Sequence, residues 1–222
     1  MSGKDWTGNR KSTFATLGAS SHTDHDREQD DFYATDPKAI DCLLSVENPS
    51  PFVWECAAGQ GHLAERLKQN GYKVFASDIV DRGYAIDKKQ DFLLCENLPP
   101  GYEDCDVITN PPYKLAQEFV LKALELVKTG RKVYMFLKLL FLEGKARYAE
   151  LFSKYPPRTV CVFSERIMCA MNADFDQYSA SATCYAWFVW EKGNYGTTEI
   201  KWLCSADDQV KGQISFFEGE QQ

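Results

Sequence analysis

The chain has 222 residues, of which 44% are hydrophobic, 14% aromatic and 26% charged. This is globular composition and excludes a disordered or fibrous protein. Its 25 basic and 32 acidic residues give a net charge of −7, which by itself argues against a general binder of nucleic acid or of anionic membrane.

Residues 1–31 carry few apolar groups at regular spacing and end in the acidic run D-R-E-Q-D-D. They are expected to form a flexible polar arm. Order is expected from Phe32, with Thr35 or Asp36 capping a helix that starts at Pro37 and runs to about Ser45. A strand from Pro51 to Cys56 leads through a glycine turn into a helix from His62 to Asn70, which Gly71 stops. The strand Lys73 to Ser77 ends at Asp78. Beyond an irregular stretch come the buried strand Asp106 to Thr109, a helix from Leu115 to Lys128 and a strand from Arg131 to Leu137. A helix from about Glu143 to Lys154 precedes Pro156-Pro157. Strands at Thr159 to Phe163, Thr183 to Glu191 and Glu199 to Leu203 complete the order.

Strands alternating with helices imply crossover units and a mostly parallel sheet. The last strands have no helix between them, which implies an antiparallel C-terminal edge hairpin. The fold class expected is therefore α/β, with helices packed on a twisted sheet.

Three strand ends carry chemistry-bearing residues. Trp54 to Gly61 reads W-E-C-A-A-G-Q-G, a strand entering a G-x-G turn that opens a helix. Such a turn lets a ligand approach the backbone, and it also serves as a plain strand–helix connection. The third glycine of a dinucleotide fingerprint is absent, which weighs against NAD or FAD. Asp78, 17 residues after Gly61, stands where an acid accepts hydrogen bonds from ribose hydroxyls. Asp91, beside Phe92, falls near the end of the next strand-like segment, where an acid can take an adenine amine while the ring packs on the base.

The sharpest signal is Asn110-Pro111-Pro112-Tyr113 directly after D-V-I-T. Asn-Pro and Pro-Pro are loop dipeptides, yet average usage predicts this tetrapeptide in only about one in a thousand chains of this length. N-P-P-Y after a strand resembles the hallmark of S-adenosylmethionine-dependent amino-methyltransferases, above all the adenine-N6 DNA enzymes of the small phage and mobile-element type. The resemblance implies a Rossmann-like class I methyltransferase fold with a seven-stranded sheet over residues 32–205, leaving 206–222 as a C-terminal tail.

The chemistry accounts for the residue types. An adenine amine is a poor nucleophile because its lone pair is delocalised into the ring. The amide oxygen of Asn110 and the carbonyl of Pro111 can accept its protons and offset the charge that develops as the methyl arrives. Pro111 and Pro112 stiffen the turn, and Tyr113 offers a face to a flipped or single-stranded base.

By the same resemblance, Phe32-Tyr33-Ala34-Thr35-Asp36-Pro37 contacts the methionine end of S-adenosylmethionine, with Tyr33 and Thr35 as contacts. Glu55, Gly59 and Gly61 correspond to the strand-one acid and glycines beneath the cofactor, Asp78 to the ribose acid, and Asp91 and Phe92 to the adenine pair. The usual D-P-x-x-G-x-G pattern is replaced by E-C-A-A-G-Q-G, which keeps the acid. Lys138 to Gly144 resembles a segment beside the target pocket. Ser164 to Thr183 is either a substrate loop or a surface connection. Related N-P-P-Y enzymes methylate adenine in RNA or a glutamine side chain in protein, and a non-catalytic nucleotide-binding module is the reading from another class.

Charge is unevenly placed. Residues 114–166 hold 11 Lys and Arg against 5 Asp and Glu, a local +6, and the remainder holds 14 against 27, or −13. Lys114, Lys138, Phe141, Arg147 and Arg166 are the candidate contacts to a DNA substrate. Lys145 and Arg158 follow the same turn, and the cations equally suit solvated helix faces. No membrane partner is expected, because the run Val133 to Leu142 is short and interrupted by Lys138. The polar start is no signal peptide. Eight cysteines without a C-x-x-C pair then indicate free thiols in a reducing cytoplasm. The three histidines offer little for a metal, and none is expected.

Overall fold

A computed structural model describes residues 34–165, 167, 169–170 and 183–203. In chain order the elements are β1 (Ala34–Thr35), α1 (Lys38–Leu44), β2 (Phe52–Glu55), α2 (His62–Gln69), β3 (Lys73–Asp78), β4 (Lys88–Lys89) and β5 (Asp106–Thr109). There follow α3 (Ala116–Leu126), β6 (Lys132–Lys138), α4 (Lys145–Arg147), β7 (Thr159–Phe163), β8 (Cys169–Ala170), β9 (Tyr185–Glu191) and β10 (Glu199–Leu203).

Eight strands form the main sheet in the order β10-β7-β9-β6-β5-β2-β3-β4, and β1 pairs with β8 in a separate ribbon. Strands β4, β3, β2, β5 and β6 run parallel, so their carboxyl ends share one edge. β9 runs antiparallel to both β6 and β7, and β10 extends the sheet in parallel beyond β7.

The hairpin of β7 and β9 is thus present, but it is not at the edge, and the sheet has eight strands where seven were expected. Burial explains the order. Tyr185-Ala186-Trp187-Phe188-Val189-Trp190 is buried throughout, and a strand that is apolar on both faces belongs inside a sheet. β10 is mostly exposed and takes the edge.

Alternation along each strand divides the core into two layers. Val53, Ile108, Tyr134, Phe136 and Trp187 face α1 and α2. Trp54, Val107, Met135, Phe188 and Trp190 face α3. α3 buries Ala116, Phe119, Val120, Ala123 and Leu124, the i, i+3, i+4, i+7 stripe of a helix with one apolar face. The expected helix from Glu143 to Lys154 is divided. α4 supplies a single turn after Gly144, and Tyr148–Phe152 continues as a wider π-helical turn that carries Leu151 into the core.

The amino edge of the sheet is stapled by acids. Asp106 accepts from Ser50 N and Lys132 N at 2.7 and 2.8 Å. The side chain of Glu47, 1% exposed, receives Lys132, Arg158 and Lys201 at 2.8–2.9 Å. Arg158 also faces Glu191, so it does not flank the carboxyl edge. Among the described residues, no helix is long and apolar enough to cross a membrane, and no three His, Cys, Asp or Glu are grouped to hold a metal.

Candidate active site

The G-x-G turn is shaped by backbone demands. Gly59 and Gly61 adopt φ of +56° and +82°, where side chains with a Cβ are strained. Asp78, at the end of β3, accepts from Gly59 N at 2.8 Å and from Val80 N at 2.9 Å. One carboxylate therefore ties the turn after β2 to the turn after β3. A Cβ on Gly61 would collide with the ring of Tyr84. The Tyr84 hydroxyl donates to Glu65 at 2.6 Å and accepts from Lys68 at 2.8 Å. These contacts hold the loop of residues 79–87 against α2.

Above this turn lies a cavity of about 930 Å³, counting the open space at its mouth. Of the residues singled out in the sequence, Thr35, Glu55, Asp78, Asp91 and Phe92 line it, together with Asn110, Pro111, Pro112 and Tyr113. Gly59 and Gly61 support it from below without forming its wall. Phe92 is 2% exposed and packs on Trp54 and Phe119, with ring centroids 5.1 and 5.0 Å away. It is a core ring that also contributes to the wall. Asp91 accepts from Leu93 N at 2.9 Å and caps the turn that positions Phe92.

Glu55 is 1% exposed. Its Oε1 accepts from Ala57 N at 3.2 Å, while Oε2 is buried without a hydrogen-bond partner. Burial raises its pKa to about 8, against the smaller opposing influences of the Thr109 hydroxyl and the Ala57 N–H, so the group is mostly neutral at pH 7.

Thr35, one of the two expected caps of α1, does not cap it. Asp36 accepts from Lys38 N at 2.9 Å, and the Thr35 hydroxyl accepts from Asn110 Nδ2 at 2.8 Å. That bond directs the amide nitrogen of Asn110 to Thr35 and turns its Oδ1 away.

A second cavity of about 850 Å³ adjoins the first, and Tyr113 lines both. Lys138, at the carboxyl end of β6, places Nζ 4.8 Å from the centroid of the Tyr113 ring, a cation–π contact. Phe141 and Arg147 line the same cavity. Arg147 Nη1 donates to Phe141 O at 2.8 Å and Glu143 O at 2.6 Å. Arg147 therefore anchors the turn after β6, a task that sequence reading did not assign to it. Lys114 and Lys145 are exposed and lie outside both walls. Tyr33, Arg166 and most of the Ser164 to Thr183 segment lie outside the described residues.

Sequence reading missed Ile79, Arg82, His62 and Gln90, all of which line the first cavity. Ile79 had a signal: it directly follows the strand-end acid and is 55% exposed, which offers apolar surface to a flat ring. His62 follows the G-x-G turn, and burial lowers its pKa. Arg82 and Gln90 sit in irregular chain with no periodicity to mark them.

No protein-family model matches the chain, and no curated protein matches its sequence. Solved structures share its fold. A Listeria monocytogenes protein assigned as a class I S-adenosylmethionine-dependent methyltransferase aligns with a TM-score of 0.53 at 13% identity, covering 92% of this chain and 75% of the other. A modification subunit from Vibrio vulnificus YJ016, of an enzyme assigned as a type I restriction enzyme, gives 0.54 at 11% identity over 89% of this chain and 55% of the other. A Streptococcus thermophilus protein assigned as a hemolysin gives 0.51 at 13% identity over 83% and 73%. The shared architecture is the Rossmann-like class I methyltransferase fold.

Proposed function

We propose that the protein transfers a methyl group from S-adenosylmethionine to the N6 amine of adenine in DNA. The observation that carries this reading is that Asn110-Pro111-Pro112-Tyr113 lines one cavity with the strand-end acids Glu55 and Asp78. Fold likeness to class I methyltransferases adds support.

The cavity suits that donor chemically. Glu55 Oε2 lacks a donor, and the ammonium of an amino-acid moiety would supply one. Asp78 retains acceptor capacity beyond its two backbone N–H bonds for ribose hydroxyls. Ile79 offers apolar surface for the adenine ring of the cofactor. When bound, S-adenosylmethionine supplies a methyl group activated by its sulfonium.

The remaining work falls to residues of this chain. Thr35 orients the Asn110 amide, so Oδ1 accepts one amine proton of the target while the Pro111 carbonyl accepts another. Both acceptors draw electron density to the nitrogen and offset its developing positive charge. Tyr113 presents a ring face to the base, and Lys138 fixes that ring. As the sulfonium's methyl passes to nitrogen and a neutral thioether departs, the nitrogen becomes cationic and acidic and sheds one proton to solvent. No general base of tuned pKa is therefore needed; positioning and an activated methyl group lower the barrier.

The test is to incubate the protein with labelled S-adenosylmethionine and DNA, RNA or a glutamine-bearing protein acceptor, then map the modified group. Label appearing in protein or RNA but never in DNA adenine would sink the proposal. Asn110→Ala is expected to keep cofactor affinity within a few-fold and to lose about 10²–10³ in transfer rate. Equal loss of both would refute the assigned roles.

A further inference from the structure

The turn after β6 holds apolar side chains out in water on a rigid base. Phe141 is 8% exposed and packs edge-on against Phe152 and Phe188 at 5.8 and 5.6 Å, while its neighbours Leu140 and Leu142 are 70% and 46% exposed. Arg147 clamps the turn through two carbonyls and lays its guanidinium 4.2 Å from the Phe141 ring centroid. Leu140 lines the second cavity together with Tyr113 and Lys138.

Single exposed leucines are ordinary, but Leu140 and Leu142 stand two residues apart on one turn clamped by Arg147. Among the described residues eight large apolar side chains are exposed, and Leu115, Leu140, Leu142 and Tyr148 are four of them. All four lie in the segments that follow β5 and β6. Lys114 and Lys145 stand exposed in the same two segments. An exposed apolar side chain on a clamped turn, lining the same cavity as Lys138, matches a polymer with an anionic backbone and a stacked apolar interior.

We infer that Leu140 is a wedge that enters a DNA duplex beside the target adenine and fills the space left as the base turns out toward Asn110. This rests on the methyltransferase reading above and adds the form of the substrate. A stacked base cannot reach a walled cavity, and turning it out costs unpairing and unstacking. An apolar side chain inserted at the base step offsets part of that cost, because it replaces lost stacking without demanding hydrogen bonds. The Arg147 clamp matters for the same reason: a wedge already ordered loses little conformational entropy on insertion.

The experiment measures single-turnover transfer to one oligonucleotide, presented as a single strand and as a duplex. Leu140→Ala is expected to lower the duplex-to-single-strand rate ratio about tenfold. Leu140→Met should hold that ratio within about twofold of the wild type, since it conserves volume. An abasic site opposite the target, which removes the pairing, should restore most of the ratio in Leu140→Ala. Equal losses on both substrates, or a wild-type protein that methylates single strands but never a duplex, would overturn the wedge alone. A wild-type protein that methylates no DNA would overturn the methyltransferase reading and the wedge with it.

Discussion

Asn110 Nδ2 donates to Thr35 Oγ1 over 2.8 Å, joining residues 75 positions apart. Thr35 lies on β1, whose pairing with β8 sets Thr35 opposite Cys169. The orientation of the Asn110 amide therefore depends on a strand outside the main sheet. An amide that flips would present N–H groups where the proposed target amine needs an acceptor.

Thr35→Val removes the acceptor while keeping the shape of the side chain. Transfer is expected to slow about tenfold, the equivalent of roughly 1.4 kcal/mol for an Asn110 donor left without its partner. Thr35→Ser should recover most of the rate. A cofactor dissociation constant that rises as much as kcat falls would show that Thr35 acts on the cofactor and not through Asn110.

Glu55 makes stability depend on pH in a defined direction. Its folded pKa, near 8, lies above the ordinary value of 4.5, so the folded state holds a proton that the unfolded chain releases. The contribution is fully present below about pH 4.5 and is lost progressively as pH rises to about 8, on the order of 5 kcal/mol in all. Denaturant titrations of the ligand-free protein at pH 5 and pH 8 measure it. Glu55→Gln should flatten the slope, and an unaltered slope would remove Glu55 as its source. A cationic ligand group beside Glu55 favours the ionised form, so cofactor binding is expected to release a proton near neutral pH.

Gly61 and Gly71 share a positive φ but differ in surroundings. A Cβ at Gly71 meets open space, whereas one at Gly61 meets the Tyr84 ring. Gly71→Ala is expected to cost about 1 kcal/mol and Gly61→Ala more than twice that, or about 2–4 °C in Tm per kcal/mol at this size. Gly61→Ala should also weaken cofactor binding, because the displaced loop carries Ile79 and Arg82. Equal melting temperatures would show that the Tyr84 contact is dispensable.

Glu47 tests the amino edge independently. Burial pushes its pKa up, but hydrogen bonds from Lys201 and Lys132 and the nearby charge of Arg158 outweigh that and hold it below the usual carboxylate range. Its contribution is therefore present at neutral pH and lost on acidification through the depressed folded value. Glu47→Ala removes the carboxylate shared by Lys132, Arg158 and Lys201, leaving Arg158 its contact with Glu191 and Lys201 its bond to Val46 O. It is expected to cost about 3–5 kcal/mol, read from denaturant midpoints. A loss under about 1 kcal/mol would place the cluster among ordinary surface pairs.

The alternation of strands and helices, the mostly parallel sheet and the glycine turn were legible in sequence because each rests on short-range periodicity or a local backbone demand. The placement of Glu55, Asp78 and Asn110 at one edge followed as well, since parallel strands carry their carboxyl ends together. Three matters waited for tertiary structure. β9 lies inside the sheet, because a strand apolar on both faces needs neighbours on both sides, and β10 takes the edge beyond β7. Of the cations after Asn110-Pro111-Pro112-Tyr113, Lys138 and Arg147 line the second cavity, Arg147 while clamping its own turn, and Arg158 answers Glu47 at a separation of 111 residues. Thr35 meets Asn110 rather than capping α1. Hydrogen bonds and ion pairs are short-ranged, so which polar groups meet is decided by how distant segments return to one another, and periodicity carries no record of that return.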